Sequence, residues 1–296
     1  MLAIVIPYYK FQFFEATLQS LHAQTNKRFV VYIGNDAGPV DPEPLIQQYE
    51  RHFPIVYQKF EDNLGKTSLV RHWNRCLSMI QDEEWLMILG DDDVLDSHVV
   101  ATFYDHLAAI QKAAHVVRFA TVKIDEKDGV TSPVYQHDPL ENAVDLLFSG
   151  KRSSLSEYIF NRNRVLTIGF RELPLAWYSD ILAVLEFSDF KKIYSINEAI
   201  VKIRVSSSSI SGSTDNFKLK AEAALQFYTY LLQHKSTHFN KAQRIQLVEK
   251  LSKSFLQNKK AFGYFFTISK IYFRLALPYR YLLFLKRIVF STLKVN

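Results

Sequence analysis

Three apolar runs in the first hundred residues end against acidic or amide side chains, and that pattern limits the chain to few folds. Phe29–Ile33 leads into Gly34-Asn35-Asp36, Ile55–Phe60 is followed closely by Asn63, and Trp85–Leu89 leads through Gly90 into Asp91, Asp92 and Asp93. Carboxylates are costly to carry unpaired into a core, so these runs must stop at a surface. Between them the apolar spacing becomes helical. Phe14, Leu18 and Leu21 mark Phe13–Gln24, a second helix runs from the Asp41-Pro42-Glu43-Pro44 turn to about His52, and a third covers Lys66–Ile80. Leu2–Pro7 supplies an earlier strand, Ser97 can cap a helix to about Lys112, and His115–Ile124 returns as strand. Strand and helix in alternation predict an α/β fold, a mostly parallel sheet flanked by helices with one antiparallel strand in the second half. Ligands of such sheets bind beyond the carboxyl ends of the strands, so Asp36, Asn63 and Asp91–Asp93 should share one edge.

After Asp125 the pattern loosens. Asp125–Gly129 reads as a turn, Ser149–Ser156 as a polar loop and Ser206–Ser213 as a flexible loop of lid length. Helical spacing resumes in Leu219–Leu232 and Ala242–Leu256, and an aromatic, basic segment runs on to Lys294. The lone cysteine, Cys76, falls on the apolar stripe of a predicted helix and reads as a buried structural thiol. No basic leader precedes Leu2, and no uncharged apolar stretch approaches the roughly 20 residues that cross a bilayer. The expectation is a cytoplasmic protein, soluble or at the cytoplasmic face of a membrane.

Charge divides unevenly along the chain. No Asp or Glu follows Glu249, while ten Lys or Arg do, so a chain of net charge +6 has a body of −4 up to Glu249. Basic residues threaded among Phe262, Tyr264, Phe265, Tyr272, Phe273, Phe284 and Phe290 fit an amphipathic helix on anionic lipid. The same segment could instead pack on the rest of the chain or on a second subunit of a homo-oligomer. Nucleic acid is not expected, because the body that would accompany this tail is acidic.

Three consecutive aspartates after a buried strand repel one another unless a cation lies among them. Mg²⁺ or Mn²⁺ would resolve this, since such ions take one or two carboxylates and complete their shell with substrate phosphates. The plain alternative is a solvated acidic turn before the next helix. Gly65-Lys66-Thr67 resembles the end of a phosphate-binding loop, but the earlier glycine such a loop needs is replaced by Phe60. The Gly-x-Gly-x-x-Gly dinucleotide pattern is absent.

In order along the chain, Ile4-Val5-Ile6-Pro7-Tyr8-Tyr9, Ser20-Leu21 with Gln24-Thr25, Val31–Asp36, Asn63-Leu64-Gly65, Trp73-Asn74 and Leu89–Asp93 resemble the family 2 glycosyltransferases of GT-A fold. Leu173-Pro174 with Trp177-Tyr178-Ser179-Asp180 resembles that family's base segment, and Ile203-Arg204-Val205 its closing-loop arginine region. The resemblance implies a GT-A-like domain over 1–215, with a nucleotide-sugar half over 1–125, an acceptor half over 126–215, and a helical appendage over 216–296. It implies inverting transfer from a nucleotide sugar, a UDP-sugar by expectation, to a glycan or lipid-linked glycan in polysaccharide or surface glycan synthesis.

The implied roles follow. Pro7 and Tyr9 would line the base pocket and Asp36 would accept a hydrogen bond from the base. Asn63, Arg71 and Arg204 would face the donor, though Arg71 fits a helix-surface salt bridge equally well. Asp91 and Asp92 would hold the ribose and approach the metal, with Asp93 as the most direct ligand. Asp180 would take the acceptor proton; Glu172 and Glu186 are the alternatives, and a plain helix-start aspartate is the bland reading. Lys10 stands where the family has Asn, and Asn35-Asp36-Ala37-Gly38 keeps one acid where it often has two. Two rival functions stay open: a non-catalytic nucleotide-sugar-binding scaffold and a P-loop phosphotransferase.

Overall fold

A computed structural model of the chain describes residues 1–150, 152–206, 216–258 and 262–293. It separates into two compact units. Unit 1 comprises Met1–Glu172 with Ser179–Ser213, and unit 2 comprises Leu173–Tyr178 with Thr214–Asn296.

Among the described residues unit 1 holds nine strands. They are β1 (Leu2–Tyr8), β2 (Phe29–Asn35), β3 (Ile55–Lys59), β4 (Trp85–Ile88), β5 (Val94–Leu95), β6 (Val116–Ile124), β7 (Leu140–Asn142), β8 (Tyr158–Asn161) and β9 (Lys192–Arg204). Its helices are α1 (Phe14–His22), α2 (Glu43–Tyr49), α3 (Leu69–Leu77), α4 (Val99–Ala113), α5 (Arg162–Ile168) and α6 (Ser179–Phe187). The strands form one sheet in the order β3-β2-β1-β4-β8-β6-β9-β5, with β7 also on β9. β1 and β2 are buried almost throughout, as strands covered on both faces must be.

β1 through β4 pair in parallel, and β6 pairs in parallel with β9. β8 runs antiparallel to both β4 and β6, while β5 and β7 run antiparallel to β9. Three strands are thus reversed where one was expected. They span four, two and three residues. Segments that short show no apolar periodicity to read. The third helix also begins later than expected. Ser68 is its cap, accepting the Arg71 N–H at 3.2 Å, because Asn63 and Leu64 shape the residues before it into turns.

Register explains the shared edge. Tyr8 lies opposite Asn35 and Asn35 opposite Lys59, while Val5 lies opposite Ile88. The residues after β1, β2 and β4 therefore emerge side by side.

Unit 2 contains α7 (Phe217–His234), α8 (Lys241–Gln257), α9 (Gly263–Arg274) and α10 (Pro278–Leu293). A reciprocal cap starts α8, where Asn240 accepts the Gln243 N–H and the Gln243 side chain accepts the Asn240 N–H, both at 2.9 Å. Tyr178 stacks on Phe227 with ring centres 4.7 Å apart. Among the described residues no helix is long and apolar enough to cross a membrane. Of the serine-rich segment expected as a lid, residues 207–213 lie outside the described residues.

Candidate active site

The turn after β2 is built around one carboxylate. Asp36 Oδ1 and Oδ2 accept the backbone N–H groups of Leu64 and Gly65, each at 2.8 Å, and the side chain also pairs with Arg75. His72 approaches to 3.4 Å, and Arg75 reaches on to Asp62. Burial pushes His72 down to about 4, so near neutrality it is uncharged beside Asp36. A Cβ on residue 65 would lie 2.5 Å from Asp36 Oδ2, which is why glycine stands there. The Asp36 side chain is only 3% exposed. It ties the 63–65 loop to β2, and Asn63 tightens that loop by accepting the Lys66 N–H at 2.8 Å. This arrangement also removes the phosphate-loop reading: the amides that would cradle a phosphate already serve a carboxylate.

The three aspartates after β4 divide by what their oxygens do. Asp91 Oδ2 accepts the N–H groups of Tyr9 and Lys10 at 2.8 and 2.7 Å, joining the end of β1 to that of β4. Asp93 is buried; its Oδ1 accepts the Arg204 N–H at 2.9 Å and its Oδ2 the Ser156 hydroxyl at 2.5 Å. Burial, with the neighbouring Asp92 charge, raises Asp91 to about 6 and pushes Asp93 well above the usual carboxylate range. Asp92 is half-buried and, among the described residues, its carboxylate takes only its own N–H, with Lys10 and Arg204 as neighbouring positive charges. It is the member of the trio whose carboxylate has no hydrogen bond to a distant residue among the described residues.

Arg204 is drawn to this turn but faces inward. Its guanidinium donates to the carbonyls of Asp92 and Asp125 at 2.9 and 2.7 Å and to Asp128 at 2.6 Å, over the ring of Phe13. Every one of these contacts holds the turn together. Arg71, by contrast, is exposed at the start of α3, and its side chain has no ion pair among the described residues. Pro7 is half-buried and Tyr9 is 40% exposed beside Asp91, so both offer surface at the same edge.

Asp180 opens α6 and accepts its own and the Ile181 N–H, the local bonds of a helix start. Burial raises it to about 6. Three non-glycine residues just before it, Leu175, Ala176 and Tyr178, hold positive φ angles. Such backbone costs on the order of 1 kcal/mol per residue and is concentrated at functional sites. Glu172 is exposed, and Glu186 lies six residues along α6, about 240° around the helix from Asp180.

Two side chains at this site were hidden in a segment that reads as a polar loop. Ser156 bridges Gly90 N–H and Asp93. Arg152 lies 3.4 Å from Thr121 Oγ1, and its positive charge favours the ionised forms of both Asp93 and Asp180. Buried Arg118 steadies it by donating to the Arg152 carbonyl at 2.7 Å and to Glu157 at 2.7 Å. The Ser154…Glu157 capping box was the available signal, a Ser-x-x-Glu start to a short helical turn.

No group of three His, Cys, Asp or Glu side chains among the described residues is placed to cage a metal. The donor set nonetheless fits an ion held by one protein carboxylate, Asp92, and completed by the phosphates of a ligand. Asp93 carries one hydrogen bond on each carboxylate oxygen, and Asp91 carries both of its bonds on Oδ2.

A sheet of this order with its acidic turns at the carboxyl edge is the GT-A architecture of nucleotide-sugar transferases. The chain belongs to glycosyl transferase family 2, whose sequence model matches residues 3–178, and it is a glycosyltransferase. No curated protein matches it in sequence. Among solved structures it resembles S. aureus TarS 1–349 in complex with UDP-GlcNAc, with a TM-score of 0.65 at 14% identity, over 86% of this chain and 72% of that one. TarS 1–349 with UDP gives a TM-score of 0.59 at 14% identity, over 89% and 74%. The longer S. aureus TarS structure gives 0.63 at 14% identity, over 88% of this chain but 44% of that chain.

Proposed function

We propose that the chain catalyses inverting transfer of a sugar from a UDP-sugar to a hydroxyl of a glycan or lipid-linked glycan acceptor. The observation that carries this reading is the placement of Asp92, whose carboxylate bonds to no distant residue among those described, beside two acids that tie the edge together, with Asp180 in the same unit. The UDP-GlcNAc complex of a fold neighbour supports a uridine nucleotide. In this reading Pro7 and Tyr9 line the base pocket, and Asp36 fixes its wall through the 63–65 loop. Arg71 meets base or phosphate, and Asp91 fixes the β1 end against which the ribose lies.

Asp180 acts as general base. The acceptor oxygen attacks the anomeric carbon from the face opposite the diphosphate, the bond to the diphosphate oxygen breaks, and Asp180 takes the hydroxyl proton. A carboxylate raised to about 6 is ionised at neutral pH yet more basic than an exposed one, as base catalysis requires. Mn²⁺ or Mg²⁺ at Asp92 would offset the charge on the departing diphosphate. Arg152 adds a positive charge that keeps Asp180 ionised.

The test is a thermal-shift panel of nucleotide sugars with and without Mn²⁺ or Mg²⁺, since a specific ligand stabilises the fold by mass action. One UDP-sugar should raise the melting temperature, more so with the metal. A response to nucleoside triphosphates and to no nucleotide sugar would overturn the reading. Product formation in a mixed acceptor screen separates transfer from a non-catalytic binding role.

A further inference from the structure

The basic, aromatic end of the chain folds as two helices, and their inner faces are already filled. Phe284 of α10 is buried, with ring centres 5.8 Å from Phe255 of α8 and 5.6 Å from Tyr272 of α9. Tyr272 in turn bonds Ser252 of α8 at 2.9 Å. The core of unit 2 is thereby made without the outward residues of α9 and α10.

Those outward residues are nevertheless large and apolar. Phe266 and Phe273 on α9 are 61% and 68% exposed, and Leu282 and Phe290 on α10 are 62% and 55% exposed. At about 100° per residue, Leu282 and Phe290 fall on the side of α10 away from Phe284, with Lys286 between them. Lys270 lies beside Phe266 and Phe273 on α9 in the same way. The Lys286 ammonium sits 5.6 Å from the Phe290 ring centre, its stem lying along apolar surface. Lys270, Lys286 and Arg287 have no ion pair among the described residues, and the sequence holds no acid beyond Glu249 to supply one locally. Glu249 itself is paired with Arg280.

We propose that the outer faces of α9 and α10 dock on an anionic phospholipid surface. Exposed aromatic and leucine side chains interleaved with cations, and no anions, match a layer that is negative at its headgroups and apolar beneath. A second copy of the chain fits worse. In a two-fold contact this face would meet itself and bring Lys270 and Lys286 against their own kind. The 16 residues of α10 extend about 24 Å, short of the roughly 30 Å of a bilayer core, so the helix lies on the surface.

The test uses the full chain in sedimentation with vesicles of phosphatidylcholine alone and with phosphatidylglycerol added. Binding should need phosphatidylglycerol and be released by high salt. The triple variant Lys270→Glu, Lys286→Glu, Arg287→Glu should bind at least on the order of 100-fold more weakly, each cation contributing about 5-fold. Its circular dichroism and thermal shift with nucleotide sugar should be unchanged, which separates lost docking from lost folding. Leu282→Ser with Phe290→Ser should weaken binding while leaving its salt dependence. Equal binding to neutral vesicles, or none at low salt, overturns the proposal. So does a dimer in sedimentation equilibrium that the triple variant alters, which would make the face a contact between copies.

Discussion

Asp36, Asp91 and Asp93, all in the half up to Ile124, accept N–H groups from residues 28 to 111 positions away. Asp180, in the half beyond it, accepts among the described residues only its own N–H and that of the next residue. Asp92 resembles Asp180 in this, although its neighbours belong to the other group. The contrast separates two uses of a buried acid. Long-range bonds make a carboxylate a strut between strand ends, its position set by distant parts of the chain. Local bonds fix its position and leave oxygen available for a substrate or an ion.

Substitutions can sharpen that contrast or break it. The largest effect is expected at Asp180. Asp180→Asn should lower transfer by about 10²–10⁴ while leaving donor-induced thermal shift intact. In the native enzyme the rate should fall about tenfold per pH unit below about 6, as Asp180 takes up its proton, and the variant should lose that dependence. The sign for stability runs the other way. A carboxyl whose folded pKa is raised holds its proton longer when folded, so its contribution is greatest below about 4 and is lost as pH rises through about 6. Asp180→Asn should therefore melt higher than the native chain at pH 7, as calorimetry would record.

Asp36→Ala should act as the removal of a strut. Two backbone N–H groups and the Arg75 guanidinium lose their partner, and urea denaturation should show a loss of about 3 kcal/mol. A smaller loss, about 1–2 kcal/mol, is expected from Gly65→Ala, whose methyl would press on Asp36 Oδ2. Donor affinity should fall with it, because the 63–65 loop must move. Unchanged affinity would detach that loop from the base pocket.

The same division explains what could be read from sequence. β1 through β4 and the acids behind them are legible because each strand is a buried apolar run and each acid stands directly after one. The order of six motifs then gave the family. Which acid is a strut depends on partners that no local pattern reveals: Arg204 N–H lies 111 residues from Asp93 and the Ser156 hydroxyl 63. Arg204 read as a ligand contact for the same reason, since its inward partners Asp125 and Asp128 belong to a turn with no sequence link to it. β5, β7 and β8 were missed because they take their direction from neighbours in the sheet, not from their own few residues.

Asp92 and Asp93 are adjacent and chemically identical, so comparing their alanine variants tests the division most directly. Melting temperature and UDP-sugar titration in the presence of Mn²⁺ would be measured on both. Asp93→Ala should lower the melting temperature markedly, because it leaves the Arg204 N–H and the Ser156 hydroxyl buried without a partner, at about 1–3 kcal/mol each. Asp92→Ala should melt as the native chain does and lose at least about tenfold in donor affinity, together with any dependence on the metal. The contrary result, an Asp92→Ala protein that is unstable yet binds donor normally when folded, would contradict the account.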